Sequence, residues 1–377
     1  MSGTLSRTRP AAAPAARVAR VAAGALSRVR IAPPLALALS LGVAGFLLLP
    51  DDLLYAGSTS LVAGLIGLGL FLPMAALREL PLNAAGMTGL AAYLFAYFGS
   101  HGGVGNHLLG FAVAVGSVVA TSLIGGLASL VVTGLYFVVA SLVVQVGIEK
   151  VIFSIPVLTG GAAGRSVWQP HLTGWFNAQR CIYLIVAVAV LVCAAVVARL
   201  LRSRLGFHAV LVGHVPEGAS ATGLRNWLIR LMVFAMSGVL IGIAGCLDAF
   251  TNGTPPPPVL FGVVYSVIYV AIPIASGMRD LASVWLVAAA FTCIPIALES
   301  RAIQPNLLSG VILLVALGLA MYRDADVGLV RRLRHHFRPV APAAEPAEVT
   351  LLGRRAPVTT EQDDLPRRAG RAPALTL

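Results

Sequence analysis

The side chains able to do acid–base or nucleophilic chemistry are few in this chain, and they stand at the margins of its apolar runs. Arg78 and Glu79 close one run, Glu149 and Lys150 close another, and Asp248, Glu299 and Arg301 stand at the ends of others. A charge at mid-bilayer carries at least ~2.5–3.5 kcal/mol on insertion scales, and ion-coupled carriers accept that because they need the group. No carboxylate or histidine stands inside a run as a proton relay. The polar residues that do enter the runs are neutral: Asn83 and Thr88, Ser141 and Gln145, and Ser266. Ser141 and Gln145 are four apart and share a helix face. They either hydrogen-bond between helices, at ~1 kcal/mol each, or line a pore. Gln145 is the foremost candidate, because an amide in hydrocarbon needs a partner or water.

Other chemistries find no footing. Cys181, Cys193, Cys246 and Cys293 lack CxxC spacing and read as small core residues. His335 and His336 are adjacent and cannot share a helical face, so no metal site is expected. With Arg331, Arg332, Arg334 and Arg338 they suit contact with anionic lipid. The single lysine, Lys150, lies in Ile148-Glu149-Lys150-Val151. A P-loop needs G-x-x-x-x-G-K-[ST]. The chain is therefore expected to hydrolyse no ATP itself, to be no enzyme and to bind no cofactor.

The elements that must carry these residues follow from composition. Of 377 residues, 58% are apolar and 11% charged, against about 25% charged in soluble domains. Mean hydropathy is +0.88. A soluble enzyme and a disordered protein are both excluded. About 20 apolar residues cross a bilayer, and ten such runs occur: 31–49, 58–77, 83–99, 108–124, 128–148, 181–200, 227–247, 259–276, 282–298 and 307–322. Gly125-Gly126 splits a stretch too long for one crossing; two adjacent glycines favour a turn there, with a single kinked helix as the alternative. With both termini inside, 23 of the 27 basic residues fall on the cytoplasmic side, against Lys150, Arg165, Arg180 and Arg301 outside. That pattern favours N-in, C-in and explains the +12 charge without nucleic acid. The fold expected is an all-α polytopic membrane protein. Its five-plus-five topology permits an inverted repeat. Residues 1–30 read as a basic cytoplasmic segment, 31–322 as the transmembrane domain, and 323–377 as a basic tail with the composition of disorder.

Residues 199–226 form the longest inside loop. Ser203-Arg204-Leu205-Gly206 followed by Thr222-Gly223-Leu224 resembles the cytoplasmic loop of branched-chain amino-acid ABC permeases of the LivM type. Thr133-Gly134-Leu135-Tyr136-Phe137 resembles that family's Gly-(Leu/Ile)-Tyr-Phe signature. Thr159-Gly160-Gly161 with Gly164 resembles its glycine-rich outer turn. Phe207 to Gly213 is nearly apolar where the family's loop is charged, and Pro216 interrupts a helix there.

The resemblance implies a permease subunit in the plasma membrane. It would work with a second permease, cytoplasmic ATPases and an extracytoplasmic solute-binding protein. Arg202, Ser203, Arg204, Gly206, Glu217 and Gly223 would form the ATPase-coupling loop. Asn83, Tyr136, Ser141, Gln145 and Ser266 would line the path of a small polar solute such as a branched-chain amino acid. The alternatives are a non-transporting membrane scaffold or a permease for another metabolite.

Overall fold

A computed structural model describes residues 51–100, 104–161, 164–169, 178–221, 223–277 and 281–299. The runs expected at 31–49 and 307–322, both terminal segments and the His335-His336 cluster lie outside these residues. The described residues are helical and contain no strand. Helix α1 spans Asp51–Leu72 and continues into a π-helical turn, Pro73–Leu77. Then come α2 (Ala84–Gly99), α3 (Val104–Val131) and α4 (Leu135–Gly147), the last running into a second π-turn, Ile148–Ile152. A single turn, α5 (Pro156–Thr159), precedes α6 (Ala178–Arg202). Two short helices, α7 (Arg204–His214) and α8 (Pro216–Ala221), lead to α9 (Asn226–Asn252). A 3-10 turn at Pro258–Phe261, α10 (Val263–Ala275) and α11 (Leu281–Glu299) follow.

Five of these helices are long and apolar enough to cross a membrane: Leu54–Leu77, Gly105–Val131, Leu135–Ile152, Ala178–Arg202 and Asn226–Asn252. Their exposure differs with their place. The α1 span is 89% buried and forms the centre, whereas the α4 span is 22% buried and presents its apolar side chains outward. Apolar exposure of that kind suits lipid, which supplies no drive to hide it.

Gly125-Gly126 does not turn the chain. Helix α3 runs through both glycines to Val131, about 42 Å at 1.5 Å per residue. A helical glycine costs about 1 kcal/mol against alanine. Gly126 offsets this by packing closely on Leu231 and Phe234 of α9. The break falls instead at Val132–Gly134, where Gly134 takes φ +66°.

Polar contacts gather at two opposite ends of the bundle. At one, Arg230 of α9 donates to Glu79 and to the Ser129 carbonyl of α3. At the other, the Tyr55 hydroxyl donates to Asn252 Oδ1 at 2.7 Å and Tyr93 to the Pro256 carbonyl at 2.7 Å. Arg165 donates to the Ser100 hydroxyl there, at 3.1 Å, and its guanidinium lies 4.7 Å over the Tyr97 ring.

Candidate functional site

Helix α2 starts inside the bundle. After the π-turn, Arg78 adopts left-handed φ/ψ (59°, 29°), and residues 78–83 run without helical structure until α2 begins at Ala84. The first N–H groups of any helix lack intrahelical acceptors. In hydrocarbon each must find a side chain or pay several kcal/mol. Here three side chains supply acceptors. Leu82 N–H donates to Ser141 Oγ at 2.9 Å, Ala85 N–H to Ser266 Oγ at 3.0 Å, and Gly86 N–H to Gln145 Oε1 at 2.7 Å.

The network closes on itself. Ser266 Oγ also donates to Gln145 Oε1 at 2.9 Å, and Gln145 Nε2 donates to the Phe261 carbonyl at 2.7 Å. Thus α4, α10 and the turn at 258–261 clasp the start of α2. Gln145 and Ser266 are wholly buried. A Cβ on Gly86 would lie 2.6 Å from Gln145 Oε1, so only glycine admits this approach. Gln145 stands ten residues beyond Leu135, about 15 Å along α4, half the thickness of a ~30 Å hydrocarbon core.

Asn83, Ser141, Gln145 and Ser266 are therefore brought together. Asn83 is buried beside the network, and its Oδ1 has no partner among the described residues. Tyr136 is not among them: it is 76% exposed on the outer face of α4, while its neighbour Phe137 is buried against Phe234. The cluster holds no titratable carboxylate or imidazole. It can accept and donate hydrogen bonds, and it fixes the positive end of the α2 dipole in the interior.

The loop after α6 is a compact helical excursion. Ser203 leads into α7, donating to the Leu200 carbonyl at 2.6 Å and accepting Phe207 N–H through its own carbonyl at 3.3 Å. Gly206 is buried in the α6–α7 corner. Pro216 opens α8 as its first residue, a position where its missing N–H does no harm. Gly223 closes the excursion with φ +77°. Arg202, Arg204 and Glu217 are exposed.

The apolar stretch of α7 has a structural reason. Ala209, Val210, Leu211 and Val212 are buried, and the helix lies on the π-turn of α1. The approach is so close that a Cβ on Gly213 would sit 2.0 Å from the Ala76 carbonyl. The excursion therefore touches the turn whose continuation, 78–83, leads into α2.

Glu79 pairs with Arg230 across 151 residues, a contact that nothing in the sequence alone signals. Burial pushes the Glu79 carboxyl up to about 7, while Arg230 pulls the other way. Its second oxygen has no partner among the described residues. Cys181, Cys193 and Cys246 are free thiols, and no group of three or more His, Cys, Asp or Glu gathers among the described residues.

A helical, multi-pass membrane protein with a neutral, hydrogen-bonded cluster at the buried start of α2 and a charged excursion at one end has the build of a transport permease. The family described as the permease component of the branched-chain amino acid transport system matches residues 53–321, and the chain belongs to that family. No match was found among the curated proteins or among the solved structures.

Proposed function

We propose that the chain is the membrane subunit of an ABC importer and forms half of a path for a small polar solute such as a branched-chain amino acid. A separate ATPase binds and hydrolyses ATP, a second permease completes the path, and an extracytoplasmic solute-binding protein delivers the cargo. The chain lies in the plasma membrane with ten spans and both termini inside. Asn83, Ser141, Gln145 and Ser266 mark the interior route, and Tyr136 faces outward, toward lipid or the second permease.

The observation that carries this reading is the contact of α7 with the π-turn of α1. A partner seated on Arg202, Arg204 and Glu217 would act through α7 on the turn at 73–77, and so on the segment that enters α2. The apolar stretch Phe207–Gly213, odd for a docking loop, is spent on this inward contact. It leaves the charged side chains at 202, 204 and 217 for the partner and so gives no support to a non-transporting scaffold.

The test is Arg204→Ala with Glu217→Ala, in the chain co-expressed with its ATPase. Membrane insertion is expected to stay intact while solute-stimulated ATP hydrolysis is lost. Unchanged stimulation would remove the docking role.

A further inference from the structure

A groove of about 280 Å³ opens where α1, α6, α7 and α9 meet. Every described lining residue is apolar; the longest wall is Ile229, Met232, Met236 and Val239 of α9, facing Leu201 and Ala209. Water is a poor occupant, since an ordered water needs two to four polar partners. From Ile229 to Val239 the α9 wall rises ten steps, about 15 Å, which is one leaflet of a ~30 Å hydrocarbon core.

Exposed arginines adjoin the lining residues along the chain. Arg225, the residue that caps the start of α9, stands four residues before Ile229. Arg199 and Arg202 flank the lining pair Leu200-Leu201, and Arg204 precedes the lining residue Leu205. All four arginines are exposed, and none pairs with a described carboxylate. Trp227, half exposed, adds an aromatic of the kind enriched at membrane interfaces.

We infer that this groove is a binding site for an anionic phospholipid, with one acyl chain along the α9 row and the phosphate beside Arg199 and Arg225. An apolar trough one leaflet deep with a cationic collar complements a negatively charged lipid better than a zwitterionic one, whose headgroup carries no net charge to neutralise. A second protein helix would need a wider trough and would not require the collar. The inference needs only that the chain is embedded in a membrane. Its readout is lipid retention, and its variants fall at Arg199 and Arg225, outside the Arg202, Arg204 and Glu217 set proposed for ATPase docking.

Native mass spectrometry of the full chain in mild detergent, titrated with phosphatidylglycerol or phosphatidylcholine, tests it. One phosphatidylglycerol should be retained in preference. Arg199→Gln with Arg225→Gln should weaken it about thirtyfold, and the matching lysine pair should retain it. Ala235→Phe, which fills the groove from its wall, should displace it with the collar intact. A phosphatidylglycerol with a photoactivatable acyl chain should label Met232 and Met236, which keeps the test sharp if the phenylalanine variant fails to fold. Equal retention of both lipids would overturn the inference, as would indifference to the glutamine pair. Label spread over α3 and α4, or a crosslinker at Met232 capturing residues 1–50 of the chain itself, would do the same.

Discussion

Glu79 and Arg230 are joined by a buried ion pair across 151 residues, tying the segment that follows α1 to the start of α9. Arg230 also donates to the Ser129 carbonyl at 2.8 Å, so one guanidinium holds three parts of the chain at one end of the bundle. Removing one partner of a buried pair typically costs 3–5 kcal/mol, because the other charge stays uncompensated. Arg230→Ala should therefore lower the thermal midpoint in detergent. The loss should be larger at pH 8 than at pH 5, where the Glu79 carboxyl takes a proton; equal losses at both would contradict the pairing.

The same carboxyl sets a pH dependence. Its folded value, about 7, lies above the ordinary 4.5, so the folded protein holds this proton more tightly than the unfolded chain. Stability from this group is full below about 4.5 and is lost as pH rises through about 7. Glu79→Gln should flatten that stretch of the melting curve against pH, and an unchanged slope would count against it.

Gln145 clasps the start of α2 from one side and the Phe261 carbonyl from the other. Gln145→Leu leaves a buried N–H and a buried carbonyl unpaired, at about 1–3 kcal/mol each. Gly86→Ala drives a methyl into the amide, which approaches to 2.6 Å. Gln145→Ala should relieve much of that clash, so melting of the double variant should show less than additive loss. Strict additivity would mean the two residues do not meet.

Gly213→Ala places a methyl 2.0 Å from the Ala76 carbonyl and must shift α7 off the turn at 73–77. Solute-stimulated ATP hydrolysis by the assembled importer should fall several-fold while insertion persists. Full stimulation would show that this contact carries no coupling.

Much of the architecture was legible because lipid imposes a simple rule: apolar runs long enough to cross must be helices. Among the described residues the runs at 58–77, 108–124, 128–148, 181–200 and 227–247 lie largely in helices long enough to cross, whereas those at 83–99, 259–276 and 282–298 lie in shorter apolar helices. The pairing of Ser141 with Gln145 on one face was legible from their spacing, and Ser266 from its lone polarity in an apolar helix. What these groups serve was not. The entry of residues 78–83 into the interior depends on acceptors supplied 59 and 181 residues downstream. The break expected at Gly125-Gly126 moved to Gly134 because Gly126 found a packing partner on α9, a long-range fact that two adjacent glycines do not reveal. The apolar stretch of α7 likewise made sense only against the turn of α1.

The decisive measurement is uptake by sealed vesicles holding the purified chain, with and without the proposed permease and ATPase partners. Accumulation should require the partners and internal or external ATP on the ATPase side, and an imposed proton or sodium gradient should drive nothing through the chain alone. Solute accumulation by the chain alone on an ion gradient would contradict the proposed path, which is marked by the neutral side chains Asn83, Ser141, Gln145 and Ser266 and powered by a separate ATPase.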